Sequence, residues 1–231
     1  MISCIVPTYN EAGNIENMVS ALQEVFRRDS LQGEIIVVDD KSPDGTGEIV
    51  RKLQKRHKNL RLVVPEVRRG AGAAHKIGYE NAKGDILVSM EADLSCDPND
   101  IPKLVKKIND GYDVVVASRY LKGASTNKML RNILLSKYGN KFLSAISGCR
   151  ITDFTIAYRA FRREVFESIT LRETGGNPFL MEFVVRAHKA GFRVTDIPTE
   201  YRERTEGATK NKILPAMIRT FLASLRLAFG I

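Results

Sequence analysis

Short β-branched runs alternate with stretches of helical period along the first half of the chain. Ile2–Val6, Glu34–Asp39, Leu60–Val64, Ile86–Met90 and Val114–Ala117 read as strands. Between the first two, Ile15, Met18, Val19, Leu22 and Phe26 share one helix face. Ile49, Val50 and Leu53 repeat that spacing after Thr46, which suits a helix N-cap, and Ala71–Ala82 and Pro102–Asn109 supply two further helices. This β-α alternation predicts a mainly parallel sheet flanked by helices, an α/β fold of the nucleotide-binding type.

The second half is less regular. It predicts a helix over Lys128–Ile146, a strand near Ala157–Phe161, a helix over Phe179–Lys189, a strand over Arg193–Tyr201 and a closing C-terminal helix. Neither a repeat nor a Pro/Gly/Ser linker divides the chain. Residues 1–231 are therefore expected to form one domain, with a ligand-binding part over 1–120, a second part over 121–210 and an amphipathic helix over 211–231. In that last segment Ile213, Met217, Phe221, Leu225 and Phe229 recur every four residues, flanked by Lys210, Lys212, Arg219 and Arg226 without an acid. Such a helix suits an anionic membrane surface; packing on the protein's own core or on a membrane-spanning partner subunit is the alternative.

Composition narrows the classes. With 231 residues, 43% hydrophobic and 27% charged, collagen, coiled coil and bulk disorder are excluded. Lys and Arg number 36 against 27 Asp and Glu, a net +9 that points to an anionic partner. No acid occurs from Val114 to Thr152, where seven basic residues fall. Aromatic residues are only 7% and form no base-stacking array, so nucleic acid is not the expected partner. Cys4, Cys96 and Cys149 lie far apart, which fits a reducing cytoplasmic setting and no zinc site. Neither a signal peptide nor an apolar run long enough to span a membrane is expected.

Parallel sheets bind ligands at the carboxyl ends of their strands, and those ends are polar here. The first strand leads into Pro7-Thr-Tyr-Asn-Glu11, the second into Asp39-Asp-Lys-Ser-Pro-Asp-Gly45, the fourth into Glu91-Ala-Asp-Leu-Ser95 and the fifth into Ser118-Arg-Tyr120. Acids gathered at neighbouring strand ends repel unless a cation or hydrogen-bond donors compensate them. A divalent metal with a diphosphate meets that demand, because Mg2+ and Mn2+ take carboxylate and phosphate oxygens together. His57, His75 and His188 lack a Ser or Cys partner at catalytic spacing and read as structural or surface residues. The small residues of Gly70-Ala-Gly-Ala-Ala74 read as allowing close packing, not as a dinucleotide fingerprint.

Ile5-Val-Pro-Thr-Tyr-Asn-Glu, Val37-Val-Asp-Asp-Lys-Ser-Pro-Asp-Gly-Thr, Glu91-Ala-Asp-Leu-Ser and Ala117-Ser-Arg-Tyr stand in the order and approximate spacing of glycosyltransferase family 2. Asp153 through Arg163, Met181-Glu182 and Arg204-Thr-Glu-Gly-Ala-Thr-Lys210 extend the resemblance over nearly the whole chain, towards the polyprenyl-phosphate glycosyltransferases. It implies a GT-A-type Rossmann-like fold and inverting transfer of mannose or glucose, from GDP-mannose or UDP-glucose, to a polyprenyl or dolichyl phosphate at the cytoplasmic face of a membrane.

By the same resemblance Pro7, Tyr9, Glu11 and Val38 line the nucleotide pocket, Asp39 reads the base and Asp40 lies near the ribose or sugar. Asp93 holds Mg2+ or Mn2+ against the diphosphate, flanked by Glu91 and Ala92, with Ser95 as a further metal contact. Arg119, Arg131, Ser136, Arg204 and Lys210 engage phosphate oxygens. The sequence departs from the family pattern in four places: Glu91 replaces an Asp, Ser95 stands where some members have Gln, Thr155-Ile-Ala-Tyr158 has an Ala where Gly is common, and Arg131 stands five residues before Ser136 instead of four. A glycan or protein hydroxyl acceptor is the alternative; it would need a general base, for which Asp153 is the candidate.

Overall fold

The five apolar runs become β1 (Ile2–Thr8), β2 (Gly33–Asp39), β3 (Leu60–Val63), β4 (Ile86–Ser89) and β5 (Val114–Ser118). They belong to a computed structural model that describes residues 1–126 and 130–202, without the side chains of 130–135. Between them lie α1 (Ile15–Arg28), α2 (Thr46–Gln54), α3 (Ala71–Asn81) and α4 (Ile101–Asn109). The second half adds β6 (Ser125–Thr126), α5 (Leu130–Ser147), β7 (Arg159–Arg162), α6 (Arg163–Ser168), α7 (Gly176–Lys189), β8 (Val194–Pro198) and β9 (Glu200–Tyr201). Arg204, Lys210 and the expected helix over 211–231 lie outside the described residues.

Seven strands form one sheet in the order β3-β2-β1-β4-β7-β5-β8. All neighbours are parallel except β7, which runs antiparallel to both β4 and β5. The chain steps outward from β1 to β2 and β3, then returns to lay β4 on the other side of β1. That reversal opens a crevice beyond the carboxyl ends of β1 and β4, the place where open α/β sheets take ligands.

Covering helices bury both faces, so every residue of β2 from Glu34 to Asp39 is buried. On α1 the expected stripe of Ile15, Met18, Val19, Leu22 and Phe26 is buried, as is Val25. Helix α3 comes so close to β1 that a Cβ on Gly78 would lie 2.3 Å from Ile5 Cγ2. A Cβ on Gly72 would lie 2.5 Å from the Thr174 carbonyl, which is the close packing expected of those small residues.

Two local expectations are corrected. Thr46 is the first residue of α2 and Gly45 the cap; Asp44 Oδ1 accepts the Thr46 N–H at 3.1 Å and its hydroxyl at 2.6 Å. The single strand expected over Arg193–Tyr201 divides at Thr199, whose N–H donates to Ser118 O and whose hydroxyl donates to Asp100 Oδ2. Beyond it, β9 leaves the main sheet and pairs with β6. Neither β6 nor α6 was legible in the sequence, since each is too short to show a period.

At the opposite end of the sheet from the crevice, Glu34 accepts hydrogen bonds from Ser3 Oγ at 2.8 Å, the Lys83 N–H at 2.6 Å and Arg61 Nη1 at 2.8 Å. Burial pushes this carboxyl up, but the bonds from Arg61, Ser3 and Lys83 outweigh it and hold it below its usual 4.5. A carboxyl lowered in the folded state stabilises the protein above its unfolded value, and that stabilisation is lost as pH falls through the folded value. Glu34→Gln is therefore expected to lower stability at pH 7 and to flatten its decline below about pH 5, measured by urea unfolding across pH.

Candidate active site

The loops after β1 and β2 are shaped by one set of polar side chains. Three successive backbone N–H groups, of Asn10, Glu11 and Ala12, donate to Ser42 Oγ, Thr46 Oγ1 and Asp44 Oδ2 at 2.9, 3.0 and 3.0 Å. Asp39 is buried and accepts from Thr8 Oγ1 at 3.2 Å and, over a short contact, from Ser42 Oγ. The alternating polar residues Asp39, Ser42, Asp44 and Thr46 thus dock the first loop on the second. Asn14 Nδ2 donates to Glu11 Oε2 at 2.8 Å, and the Arg68 guanidinium stacks 3.7 Å from the Tyr9 ring centroid.

Asp40 holds a different element. Its two oxygens accept the Arg69 and Gly70 N–H groups, each at 2.8 Å, and fix the start of α3. Asp40 is thus a buried carboxylate held by backbone donors. The expectation for Val38 is corrected. That residue has no exposed surface and packs under α3, 3.2 Å from where a Gly78 Cβ would stand. Pro7, its partner in the β1–β2 register, is only half-buried.

Beyond β4 the chain carries Glu91, Ala92, Asp93 and Ser95 into the crevice. Asp93 Oδ1 accepts the Ser95 N–H at 3.0 Å, and Ser95 Oγ lies 3.5 Å from Glu91 Oε2. Leu94 between them has φ +56°, a left-handed value that a branched side chain rarely adopts. Asn10 and Lys41, in the loops after β1 and β2, have φ +59° and +57°. Of the four described non-glycine residues with positive φ, three therefore lie at these strand ends and the fourth, Ser30, in the turn after α1.

Among the described residues no three His, Cys, Asp or Glu side chains converge to hold a metal on their own. Glu91, Asp93 and Ser95 nevertheless offer hard oxygen donors. Two carboxylates completed by phosphate oxygens of a ligand are the usual setting for Mg2+ or Mn2+, so these residues fit such an ion.

After β5, Arg119 is buried against Asp153. Nε and Nη2 donate to its two oxygens at 2.7 and 2.9 Å, and Nη2 also reaches Thr155 Oγ1 at 3.0 Å. The Asp153 side chain is 0% exposed and that of Arg119 9%. Burial alone would lower Arg119, yet the Asp153 carboxylate holds it above the usual arginine range. The rings of Tyr120 and Tyr201 each lie 5.3 Å from the guanidinium carbon. Ser136, on α5, lies near Tyr120 and so stands on the Arg119 side of the site. Arg131 falls in the same helix, at a position whose side chain is not described.

A family model described as glycosyl transferase family 2 matches residues 3–170. The chain belongs to glycosyltransferase family 2. This glycosyltransferase is 34% identical over 213 residues to the polyprenol monophosphomannose synthase of Mycolicibacterium smegmatis, covering 89% of this chain and 79% of that protein. It is 33% identical over 215 residues to the dolichol-phosphate mannosyltransferase of Pyrococcus furiosus, covering 91% of this chain but only 59% of the relative. A mannosyltransferase from Pyrobaculum calidifontis, solved with GDP-mannose and Mn2+, superposes with a TM-score of 0.72 at 27% identity over all of this chain and 64% of that one. The sheet with its flanking helices is the GT-A-type fold.

His75 is buried, its Nδ1 lies 2.8 Å from Ser89 Oγ, and burial, aided by nearby Arg159, pushes it down to about 3. Sequence reasoning missed two features of the site, the Arg119–Asp153 pairing and the place of Tyr201. The partners of the ion pair stand 34 residues apart, so only the shared family segment at Asp153 hinted at it. Breaking a buried ion pair strands the surviving charge. Asp153→Asn is expected to lower unfolding free energy by about 3–5 kcal/mol, and Asp153→Leu with Arg119→Met to recover much of that loss in urea denaturation.

Proposed function

We propose that this glycosyltransferase moves mannose from GDP-mannose to a polyprenyl phosphate, inverting the anomeric carbon. One observation carries the reading: the carboxylates Glu91 and Asp93 lie near the same buried Tyr201 as Arg119, whose charge Asp153 fixes in place. The names of both curated relatives and the GDP-mannose and Mn2+ of the Pyrobaculum structure support it.

Pro7, Tyr9 and Glu11 border the nucleotide, while Asp39 and Asp40 act on it through the loops they hold. Asp93 and Glu91, with Ser95, bind Mg2+ or Mn2+ at the diphosphate. When bound, that ion neutralises the charge growing on the leaving nucleoside diphosphate. Arg119 and Ser136, joined by Arg131, Arg204 and Lys210, receive the acceptor phosphate; because Asp153 pins Arg119, its charge is presented without rearrangement during the reaction. A phosphate oxygen forms the new bond to the anomeric carbon as the bond from that carbon to the β-phosphate oxygen breaks, and GDP leaves with the electron pair.

A phosphate monoester is already ionised at neutral pH, so the nucleophile needs no strong base. A hydroxyl acceptor would need one. The candidate for that task, Asp153, has no exposed surface and both oxygens on Arg119. This favours phosphate over a glycan or protein hydroxyl.

A polyprenyl chain stays in the bilayer, and no described helix is long and apolar enough to cross one. We assign membrane docking to the basic, apolar segment over 211–231, at the cytoplasmic face.

Lipid-linked mannose should form from GDP-mannose and a short polyprenyl phosphate, with UDP-glucose a poor donor and a chelator abolishing transfer. Asp93→Asn should lower the rate by about a hundredfold or more, and Glu91→Asp far less. Activity that survives chelation would overturn the metal assignment. In liposome co-sedimentation the full chain should pellet with anionic vesicles at low salt, and a version ending at Asn211 should not. Equal sedimentation of the two would remove the docking role.

A further inference from the structure

Helix α5 carries Arg131 and Ser136 of the acceptor assignment, yet little of its described surface is packed. Of its side chains over 136–147, only Asn140 and Leu143 are buried. Lys137, Tyr138, Lys141 and Phe142 are exposed. Apolar burial is non-directional, so a footprint this small does not by itself fix where along its axis the helix stands. A hydrogen bond does.

Asn140 supplies one. It is 4% exposed, and its carboxamide is engaged at both ends. Nδ2 donates to the Ser136 carbonyl one turn earlier at 2.9 Å, and Oδ1 accepts the Phe154 N–H at 2.8 Å. The first bond holds the side chain against its own helix. The second leaves the helix and reaches the segment that carries Asp153.

Phe154, itself fully buried, stands between the two residues that hold Arg119. Asp153 accepts from Nε and Nη2 at 2.7 and 2.9 Å, and Thr155 Oγ1 accepts from Nη2 at 3.0 Å. On the other side Thr152 donates its N–H and its hydroxyl to Asp196 Oδ2 of β8, at 2.7 and 2.6 Å. Residues 152–155 are therefore a fixed platform, and Asn140 fastens α5 to it at the residue next to Asp153.

We propose that Asn140 is a positioning residue, one that sets α5 and its Ser136 in register with the Arg119–Asp153 pair so that both meet one acceptor phosphate. This deepens the acceptor assignment above and rests on it. Asn140 acts through Ser136 and Arg119, its own polar atoms being spent on Ser136 and Phe154.

Asn140→Leu keeps the approximate volume and removes the oxygen; Asn140→Ala removes both, and keeps the test open if the Leu variant does not fold. In transfer from GDP-mannose to a short polyprenyl phosphate, each should raise the acceptor KM about three- to tenfold, the effect of one hydrogen bond. The KM for GDP-mannose and the calorimetric affinity for GDP with Mn2+ should stay unchanged. Ser136→Ala should raise the acceptor KM less in the Asn140 variants than in the wild type, because the hydroxyl is then already out of place. Glu34→Gln, at the far end of the sheet, controls for lost stability alone and should leave the acceptor KM as it was. An unchanged acceptor KM in the Asn140 variants, an equal rise in both KM values, additive effects with Ser136→Ala, or a matching rise in Glu34→Gln would overturn the positioning role. If the wild type forms no lipid-linked mannose, the acceptor assignment fails first and the inference falls with it.

Discussion

Carboxylates brought together at the ends of neighbouring strands must each be neutralised or hydrogen-bonded, and the crevice is organised by the way this chain meets that demand. Asp39 is met by Thr8 and Ser42, Asp40 by the amides that open α3, and Asp153 by Arg119. Each solution fixes a loop as well as a charge. The walls of the crevice are consequently set by hydrogen bonds already made, and a ligand meets a site that needs little ordering.

The same economy separates the acids by task. Asp40 and Asp153 hold the start of α3 and Arg119 in place, and Glu91 and Asp93 lie on a short loop where Ser95 donates to both. Glu182 belongs with the structural group. It is buried in α7 and accepts the Arg172 and Glu173 N–H groups at 2.9 and 2.7 Å, so it holds the loop whose Thr174 carbonyl faces Gly72 of α3. An acid in a family motif is thus as apt to build the wall as to touch the ligand.

Much of this was legible in the sequence because its signals are local. The five first-half strands and α1 follow from periodicity alone, and the polar strand ends from their place after each run. What stayed hidden depends on contacts between distant residues. Nothing in the residues around Arg159 to Arg162 says that β7 runs against its neighbours, and nothing around Thr199 announces a change of partner, since Ser118 and Asp100 decide it. Val38 misled for a related reason. Standing beside Asp39 in a motif, it faces the packed interior because side chains alternate along a strand.

The antiparallel strand also governs how the molecule can be made. β4 and β5 do not pair with each other; each pairs with β7, which is translated only after α5. Until residue 162 has emerged, β4 remains an open edge and β5 lacks its inner neighbour. Strands β4 and β5, both within the first 120 residues, therefore receive their shared neighbour only from the second half of the chain. The sheet closes late in synthesis, through pairings distant in sequence, and the nascent chain exposes apolar strand edges to other chains until it does.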